Sequence, residues 1–300
     1  MNFDFGEVLA RAGQITWKYK NLWLAGIVIS LIGFLSAPIS LLFNPSFTDP
    51  SEISRQLPSI LLVNGLVILL SILSIPFYVI GVTIPSLGTV QVEKGSGKLN
   101  FGELLKGAFP YFWRILGIYL LIALGTTMVV MVFAAIIAFL SVITFGFGAV
   151  CAFPLMLLFI PLWILVYALM EQSIAAIVVD NLNFSSALQR AWELVKKNLG
   201  VMALISIIIY LGSMIVGMII SVPMMIPMFG FIFNNMTSEP DMQAFQSLTR
   251  NMVWWMLAFS PIYAVFQGIL LTFMQAAWTL TYMRLTKPQV NVPVAPEANA

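Results

Sequence analysis

Glu171 is the residue whose type and position make it the first candidate for chemistry in this sequence. It is an acidic residue with apolar residues on both sides, in the run YALMEQSIAAIVVD. An ionisable side chain at the centre of a bilayer costs about 2.5 to 3.5 kcal/mol on insertion scales and marks a candidate proton or ion site. Counted from Ala149, however, Glu171 lies just beyond the roughly 20 residues that span a bilayer. We therefore expect its carboxylate to lie at the inner interface, where it reaches water or pairs with Lys196 or Lys197. A proton or ion site inside the membrane is the alternative.

Two glutamines, Gln267 and Gln275, complete a candidate intramembrane polar site with Glu171. Both are uncharged and lie off the stripe of small residues in the last apolar segment. Because polar side chains inside a membrane hydrogen-bond between helices, we expect them to join helices rather than to bind a substrate. Asn64, near an outer end, is interpreted in the same way.

The sequence lacks the residue sets that an intramembrane enzyme would need. Histidine is absent, which excludes His-ligated metals and Ser-His or Cys-His nucleophilic pairs. Cys151 is the only cysteine, and the spans contain neither Ser-x-x-Lys nor a pair of carboxylates at helical spacing. The net charge of +2 comes without a block of like charges, which argues against nucleic acid as a partner. We therefore predict a protein that is not an enzyme and that binds no cofactor, metal ion or nucleic acid.

Composition places the candidate residues in transmembrane helices. Hydrophobic residues make up 60% of the chain and charged residues only 9%, far from the shares of a soluble domain. A bilayer core of about 30 Å needs roughly 20 apolar residues in a helix. The sequence therefore predicts an all-α, polytopic membrane protein with six transmembrane helices. The six segments are 22–43, 60–84, 115–140, 149–170, 201–225 and 253–271, the last with an apolar continuation to residue 283.

The distribution of lysine and arginine orients these segments. With a cytoplasmic N-terminus, twelve of the fourteen Lys and Arg residues lie inside, and only Arg55 and Arg250 lie outside. An even number of spans then places both termini in the cytoplasm. We predict a multi-pass protein of the cell membrane, with short surface helices at 49–52 and 238–241 in the outer loops and a turn at 144–148.

A recurring start divides the chain into three similar units. Asp4, Asn100 and Asn183 each precede a phenylalanine, and each is a residue type that caps a helix, worth about 1 kcal/mol over alanine. Glu7 and Glu103 stand three residues after the first two caps, at the capping-box position. Each start is followed by a long apolar stretch, so each unit is predicted to be a capped helix leading into a helical hairpin.

The units define one membrane domain at residues 1–288. They run at about 1–97, 98–181 and 182–288, all in the same orientation, which predicts a pseudo-threefold axis along the membrane normal. The remaining residues, 289–300, are rich in proline and small side chains, so we predict a disordered cytoplasmic tail.

The first helix of each unit is predicted to be amphipathic. In the third copy, Leu188, Ala191 and Val195 fall on one face, while Arg190 and Lys196 fall elsewhere. Such a helix lies in the interface with its apolar face in the acyl boundary, or it packs on the cytoplasmic ends of the other helices, and both can hold at once. Lipids are the expected partners of its cations. The candidate headgroup contacts are Arg11, Lys18, Lys106, Arg190, Lys196 and Lys197.

The second apolar segment of each unit contains a proline with an aromatic residue two positions later. These prolines are Pro76, Pro161 and Pro261. Proline inside a helix frees the carbonyl four residues earlier and kinks the axis. Three kinks could surround a cavity or a gate, or they could simply shape helix packing. Mitochondrial-carrier-type transporters have the same three helix pairs, but their Pro-x-Asp/Glu-x-x-Lys/Arg signature follows none of these prolines, so the similarity is one of helix number.

Small residues recur every fourth position in two segments and predict close contact between helices. The last segment has Ser260, Ala264, Gly268, Thr272 and Ala276, and the fifth has Ser213, Gly217 and Ser221. We expect both stripes to pack inside the protein, and a homodimer contact is the alternative.

The third copy also resembles a known family. Its segment ALQRAWELVKKNL, preceded by a long apolar helix, resembles bacterial six-helix membrane proteins similar to the membrane domain of glycerophosphoryl diester phosphodiesterases. In that family the catalytic part is a separate soluble barrel, which this sequence does not encode. The resemblance implies a prokaryotic integral membrane module with no catalytic residues to carry over.

Packing stripes and surface helices, rather than converging polar groups, dominate this sequence. They favour a non-catalytic membrane module that scaffolds or regulates a membrane partner or organises lipid. The alternative is a lipid or small-molecule transporter, with a path between the proline-containing helices and Glu171 coupling transport to protons. A polar cavity at mid-membrane would favour transport, and a dry interior would favour the module.

Overall fold

Helices make up the described part of the chain. The computed structural model describes residues 3–34, 50–147, 159–234 and 242–286, and these contain no strand. Residues 238–241 and 289–300, and parts of the first and fourth predicted spans, lie outside the described residues. The α-helices are α1 (Phe5–Lys18), α2 (Trp23–Phe34), α3 (Pro50–Glu93), α4 (Phe101–Ala108), α5 (Phe112–Ile143), α6 (Phe159–Asp180), α7 (Phe184–Lys197), α8 (Leu199–Ser221), α9 (Ile226–Asn234) and α10 (Met242–Thr286).

The amphipathic helices α1, α4 and α7 begin where the sequence predicts a cap. The side chains of Asp4 and Asn183 each accept the backbone N–H three residues later, both at 2.9 Å. The side chain of Asn100 accepts the N–H of Gly102 at 3.0 Å. Each bond satisfies an N–H that a helix start leaves without a partner. The three predicted helix starts are confirmed.

Within the described ranges, five helical stretches are long and apolar enough to cross a membrane: Leu57–Glu93, Phe101–Ile143, Phe159–Asp180, Leu199–Phe233 and Ser247–Thr286. The first predicted span begins as a shorter apolar helix, Lys20–Phe34, and the rest of that span lies outside the described residues. Residues 50–52 are the first turn of the long helix α3, so the separate surface helix expected at 49–52 is wrong from residue 50 onward. The turn expected near 144 is confirmed, because α5 ends there and Phe145 adopts a positive φ of 52°.

Several helices continue past the ends that a bilayer thickness predicts. Helix α3 runs to Glu93 rather than residue 84, and α6 runs to Asp180 rather than residue 170. The sequence estimate counted the residues that cross the apolar layer, whereas these helices extend further to form a packed end. Their extensions carry the most buried part of the protein.

The helices α3, α6 and α10 contact one another pairwise and form the centre of the bundle. Each remaining long helix packs against two of them: α2 on α3 and α10, α5 on α3 and α6, and α8 on α6 and α10. The amphipathic helices follow the same order, with α1 on α10, α4 on α3, and α7 on α6. We call the end of the bundle where α1, α4 and α7 lie the capped end, and the opposite end the open end.

The core lies at the capped end. Its largest fully buried side chains include Trp278, Tyr282, Leu22, Leu104 and Ile177. Towards the open end, α3, α5 and α8 expose apolar side chains such as Leu69, Leu124 and Ile219. In a bilayer, lipid tails are as apolar as these side chains, so nothing drives them together.

The apolar faces of the amphipathic helices are buried in this core. Ala12 and Ile15 of α1, Leu104 of α4, and Ala191 and Val195 of α7 are all buried. Of the two positions that the sequence left open, the structure has these helices packed on the ends of the others. A position of these helices at the membrane interface stays a prediction, because it can hold together with this packing.

The two small-residue stripes behave differently. On α10, Ala264 and Thr272 are buried, and Gly268 lies against the backbone of α2. On α8, by contrast, no described atom lies within 4 Å of a β-carbon built on Gly217. Ser213 and Ser221 on the same helix are half-buried. Close packing is confirmed for the stripe on α10 and wrong at Gly217, because no described neighbour packs against α8 at that position.

The prolines lie within continuous helices. Pro76 and Pro261 stand inside α3 and α10, and Pro161 stands in the first described turn of α6. Proline at position 261 frees the carbonyl of Leu257, which accepts the hydroxyl of Ser260 at 2.8 Å. This hydrogen bond satisfies the carbonyl oxygen of Leu257, for which the lipid hydrocarbon offers no donor.

Candidate functional site

A buried polar cluster joins the three central helices. Glu171 on α6 accepts the side-chain N–H of Gln275 on α10 at Oε2, 3.1 Å away. The carbonyl oxygen of Gln275 accepts the hydroxyl of Ser86 on α3 at 3.2 Å. The three residues are 3%, 3% and 1% exposed. We call Glu171, Gln275 and Ser86 the central cluster.

Glu171 is buried rather than interfacial. No lysine or arginine of the described residues forms an ion pair with it, and Lys196 and Lys197 are exposed on α7. The expectation that its carboxylate reaches water or pairs with those lysines is wrong. The reason is that α6 continues to Asp180, so that Glu171 lies inside the packed part of the helix.

Aromatic side chains surround the central cluster. The hydroxyl of Tyr167, one turn before Glu171, interacts with its carboxyl group. The ring of Tyr167 packs edge-on against Trp278 at 5.7 Å, and Tyr78 packs edge-on against Tyr119 at 5.3 Å, both between ring centroids. Hydroxyl groups from α3, α5 and α6 lie near a carboxyl group that has no charged partner in the described part of the chain.

The two predicted glutamines have different hydrogen-bond partners. Gln275 bonds to two other helices, which confirms the interhelical role expected for it. Gln267 donates to the hydroxyl of Tyr263 on its own helix at 3.0 Å. Asn64 likewise donates to the carbonyl of Ile60, one turn earlier, at 2.8 Å. Gln267 and Asn64 therefore form no interhelical bond among the described residues and do not belong to the central cluster.

A charged cluster at the capped end was not predicted from the sequence. Glu93, at the end of α3, accepts from Arg11 at 2.9 Å and pairs with Arg284 at 3.2 Å. Arg284 also pairs with Glu7 at 2.9 Å. The side chain of Glu93 is only 8% exposed. These contacts tie α1, α3 and the end of α10 together, and no sequence signal linked residues so far apart in the chain.

The basic residues proposed for headgroup contacts differ in environment. Arg11 is held in the ion pair with Glu93, which reduces its availability to a lipid. The other five are exposed at the capped end: Lys18, Lys106, Arg190, Lys196 and Lys197. The ammonium group of Lys196 also lies over the ring of Trp192, 5.7 Å from its centroid.

Apolar clefts separate the outer helices from the centre. A cleft of about 810 Å³ lies between α6, α8 and α10 and is lined by Trp163, Tyr167, Tyr210, Ser213 and Met274, among others. A smaller cleft of about 340 Å³ lies between α2, α3 and α5, next to Tyr78 and Tyr119. We call them the large cleft and the small cleft. Both are partly open to the surroundings, and neither is lined by a charged side chain.

Comparison with known proteins gives a family but no activity. The model of a domain of unknown function, DUF7847, matches residues 104–285. The chain belongs to this family. The matched range of this DUF7847 protein includes Glu171 and Gln275, but not Ser86 or α1. No curated protein and no solved structure matches the chain, so the resemblance to the membrane domain of glycerophosphoryl diester phosphodiesterases stays a prediction.

Proposed function

We propose that this DUF7847 protein is a non-catalytic integral membrane module that holds lipid in its lateral clefts, and so organises lipid around itself or around a membrane partner. The observation that carries this proposal is the large cleft. It is apolar, it lies between helices long enough to cross a membrane, and it is partly open to the side. An acyl chain matches such a surface, whereas a polar solute would lose its hydrogen bonds there.

The architecture proposed with this function is six spans in three repeated units. Its support is the order of helix contacts: in each unit the first long helix packs on its own partner and on the second long helix of the preceding unit. Each amphipathic helix likewise packs on the second long helix of the preceding unit. A pseudo-threefold axis through the contact of α3, α6 and α10 accounts for all nine contacts at once.

The proposed orientation places the capped end in the cytoplasm. The distribution of Lys and Arg supports it, because all residues of the charged cluster and the exposed lysines of α1, α4 and α7 lie at this end. Basic side chains near anionic lipid are worth about 1 kcal/mol each. Lys18, Lys106 and Lys196 are therefore proposed to contact headgroups below the clefts.

Transport is the second candidate, and one observation favours it. Glu171 is a buried carboxyl group without a cationic partner among the described residues, as expected of a coupling site. The apolar lining of the clefts weighs against a route for polar solutes. Proteoliposome flux that disappears in Glu171→Gln, while the variant stays folded, would make transport the better account.

The lipid proposal is tested by blocking the large cleft. Ser213 lines this cleft and also a third one beside α1, so Ser213→Phe should fill apolar space that an acyl chain would occupy. We expect native mass spectrometry of the purified protein to show fewer bound phospholipids per chain. The matched control is Ile219→Phe, because Ile219 is 66% exposed on the same helix and lines neither of these clefts. Equal phospholipid retention by both variants would contradict the proposal.

A further inference from the structure

The central cluster has a role that lipid binding does not explain. We propose that Glu171 binds and releases a proton where α3, α6 and α10 meet, with Gln275 and Ser86 as the hydrogen-bonding partners that hold its carboxyl group. The reaction is the making and breaking of one O–H bond. The proton comes from water and returns to water, so no further reactant is needed.

The hydrogen bonds around Glu171 suit a proton better than a metal ion. Gln275 presents its NH₂ group to the carboxylate, and its carbonyl oxygen points to Ser86 instead. Hard cations need several oxygen ligands around one centre. The described residues contain no group of three or more metal-binding side chains. A single carboxyl oxygen is all that a proton requires.

Because Glu171 has no charged partner among the described residues, its protonation state matters for the contact between the central helices. Among the described side chains of α3, α5, α7, α8 and α10, no charged group interacts with it. The titratable groups that face it are the tyrosines Tyr78 on α3, Tyr119 on α5 and Tyr167 on α6. Burying an ionised carboxylate without a cation costs several kcal/mol, and binding a proton removes that cost. Protonation of Glu171 therefore removes an uncompensated charge from the contact between the central helices.

Hydroxyl groups connect the carboxyl group with the clefts. Tyr167 interacts with Glu171 and also lines the large cleft. On the other side, Tyr78 and Tyr119 line the small cleft. The hydroxyl of Tyr167 therefore links Glu171, which is itself 3% exposed, with the edge of the large cleft. Glu171 is buried, and the tyrosines that face it line the large cleft and the small cleft.

Infrared difference spectroscopy on the full-length protein in lipid nanodiscs tests the proposal directly. Spectra are recorded while the pH is changed between about 4 and about 9, a range that starts near the ordinary titration of glutamate. We expect the carbonyl band of a protonated carboxyl group to appear and disappear reversibly in the difference between wild type and Glu171→Gln. The matched control is Glu103→Gln, because Glu103 is exposed and lies outside the central cluster, so this substitution should leave the carbonyl band of Glu171 unchanged.

A second variant keeps the test valid if Glu171→Gln does not fold. Gln275→Leu removes the N–H donor that favours the ionised carboxylate. We expect the proton to be held at least tenfold more tightly, which moves the midpoint of the band up by about one pH unit or more. A carboxyl group that keeps one state throughout, or a midpoint that Gln275→Leu leaves unchanged, would overturn the proposal. Lipid retention measured on the same variants is a separate readout, because neither Glu171 nor Gln275 lines the large cleft.

Discussion

Gly26 on α2 and Gly268 on α10 face each other without a side chain between them. A β-carbon on Gly26 would lie 2.6 Å from the Cα of Gly268, closer than real β-carbons approach any atom. A β-carbon on Gly268 would lie 2.7 Å from the carbonyl oxygen of Trp23. These two glycines thus let the backbone of α2 approach the backbone of α10, one of the three central helices.

Replacing Gly268 with leucine should separate these two helices. Two of the three nearest obstructing atoms, the carbonyl oxygen of Trp23 and the nitrogen of Ile27, belong to the backbone of α2, so they cannot move aside as a flexible side chain would. We expect a loss of about 1 to 3 kcal/mol in the free energy of unfolding, as for overpacked cores. Thermal unfolding in detergent, followed by circular dichroism, measures the change.

The control for this prediction is Gly217→Leu on α8. No described atom lies within 4 Å of its β-carbon position, so the added side chain meets open space. Its melting temperature should stay close to that of the wild type. Equal destabilisation by the two variants would mean that the contact between α2 and α10 is not what Gly268 provides.

The helix caps should each contribute a similar stability. Asn183→Ala removes the acceptor for the N–H of Ser186 and should cost about 1 kcal/mol, as should Asp4→Ala. Asn183→Asp keeps an acceptor oxygen and should retain most of the stability. Chemical unfolding of the three variants checks this, and an alanine variant as stable as the aspartate variant would argue against the cap.

Breaking the charged cluster should loosen the capped end. Glu93→Ala leaves Arg11 and Arg284 without their shared carboxylate, which is 8% exposed. Because the two arginines are themselves partly exposed, we expect a cost of about 1 to 3 kcal/mol, between surface and buried ion pairs. Hydrogen exchange should rise in α1 and at the end of α10. Glu103→Ala, which removes an exposed carboxylate, is the control; the same rise in that variant would count against the cluster.

The sequence predicts the local features of this fold well. Asp4, Asn100 and Asn183 can be recognised as caps because a cap depends on the residue type and on N–H groups two or three residues away. The Gly268 stripe can be recognised because its spacing follows the helical repeat. Gly217 has the same spacing but meets no neighbour, since the path of α8 depends on contacts that periodicity does not record.

The candidate site could be predicted only in part. Glu171 and Gln275 stand out as polar residues in apolar segments, but the sequence placed Glu171 at the membrane surface. A count of residues per bilayer cannot show that α6 continues to Asp180 within a packed core. Ser86 and the pairing of Glu93 with Arg284 carry no local signal at all, because both depend on helices that meet only in three dimensions.

The proposed orientation gives a simple topological prediction. Reporter fusions at Asp49, Lys98, Thr144, Arg190, Glu239 and the C-terminus should alternate out, in, out, in, out and in. The physical reason is the retention of Lys and Arg on the cytoplasmic side. A C-terminal reporter on the outside would be incompatible with six spans and a cytoplasmic N-terminus.

The most direct measurement of the central claim is a structure of the protein determined in a lipid bilayer. The account predicts continuous acyl-chain density in the large cleft, along Trp163, Tyr210 and Met274, with no continuous water-filled path across the membrane between the central helices. Density for a lipid at that place in the wild type, and its loss in Ser213→Phe, would support a lipid-holding module. A hydrated polar channel that reaches Glu171 from both sides of the membrane would contradict it.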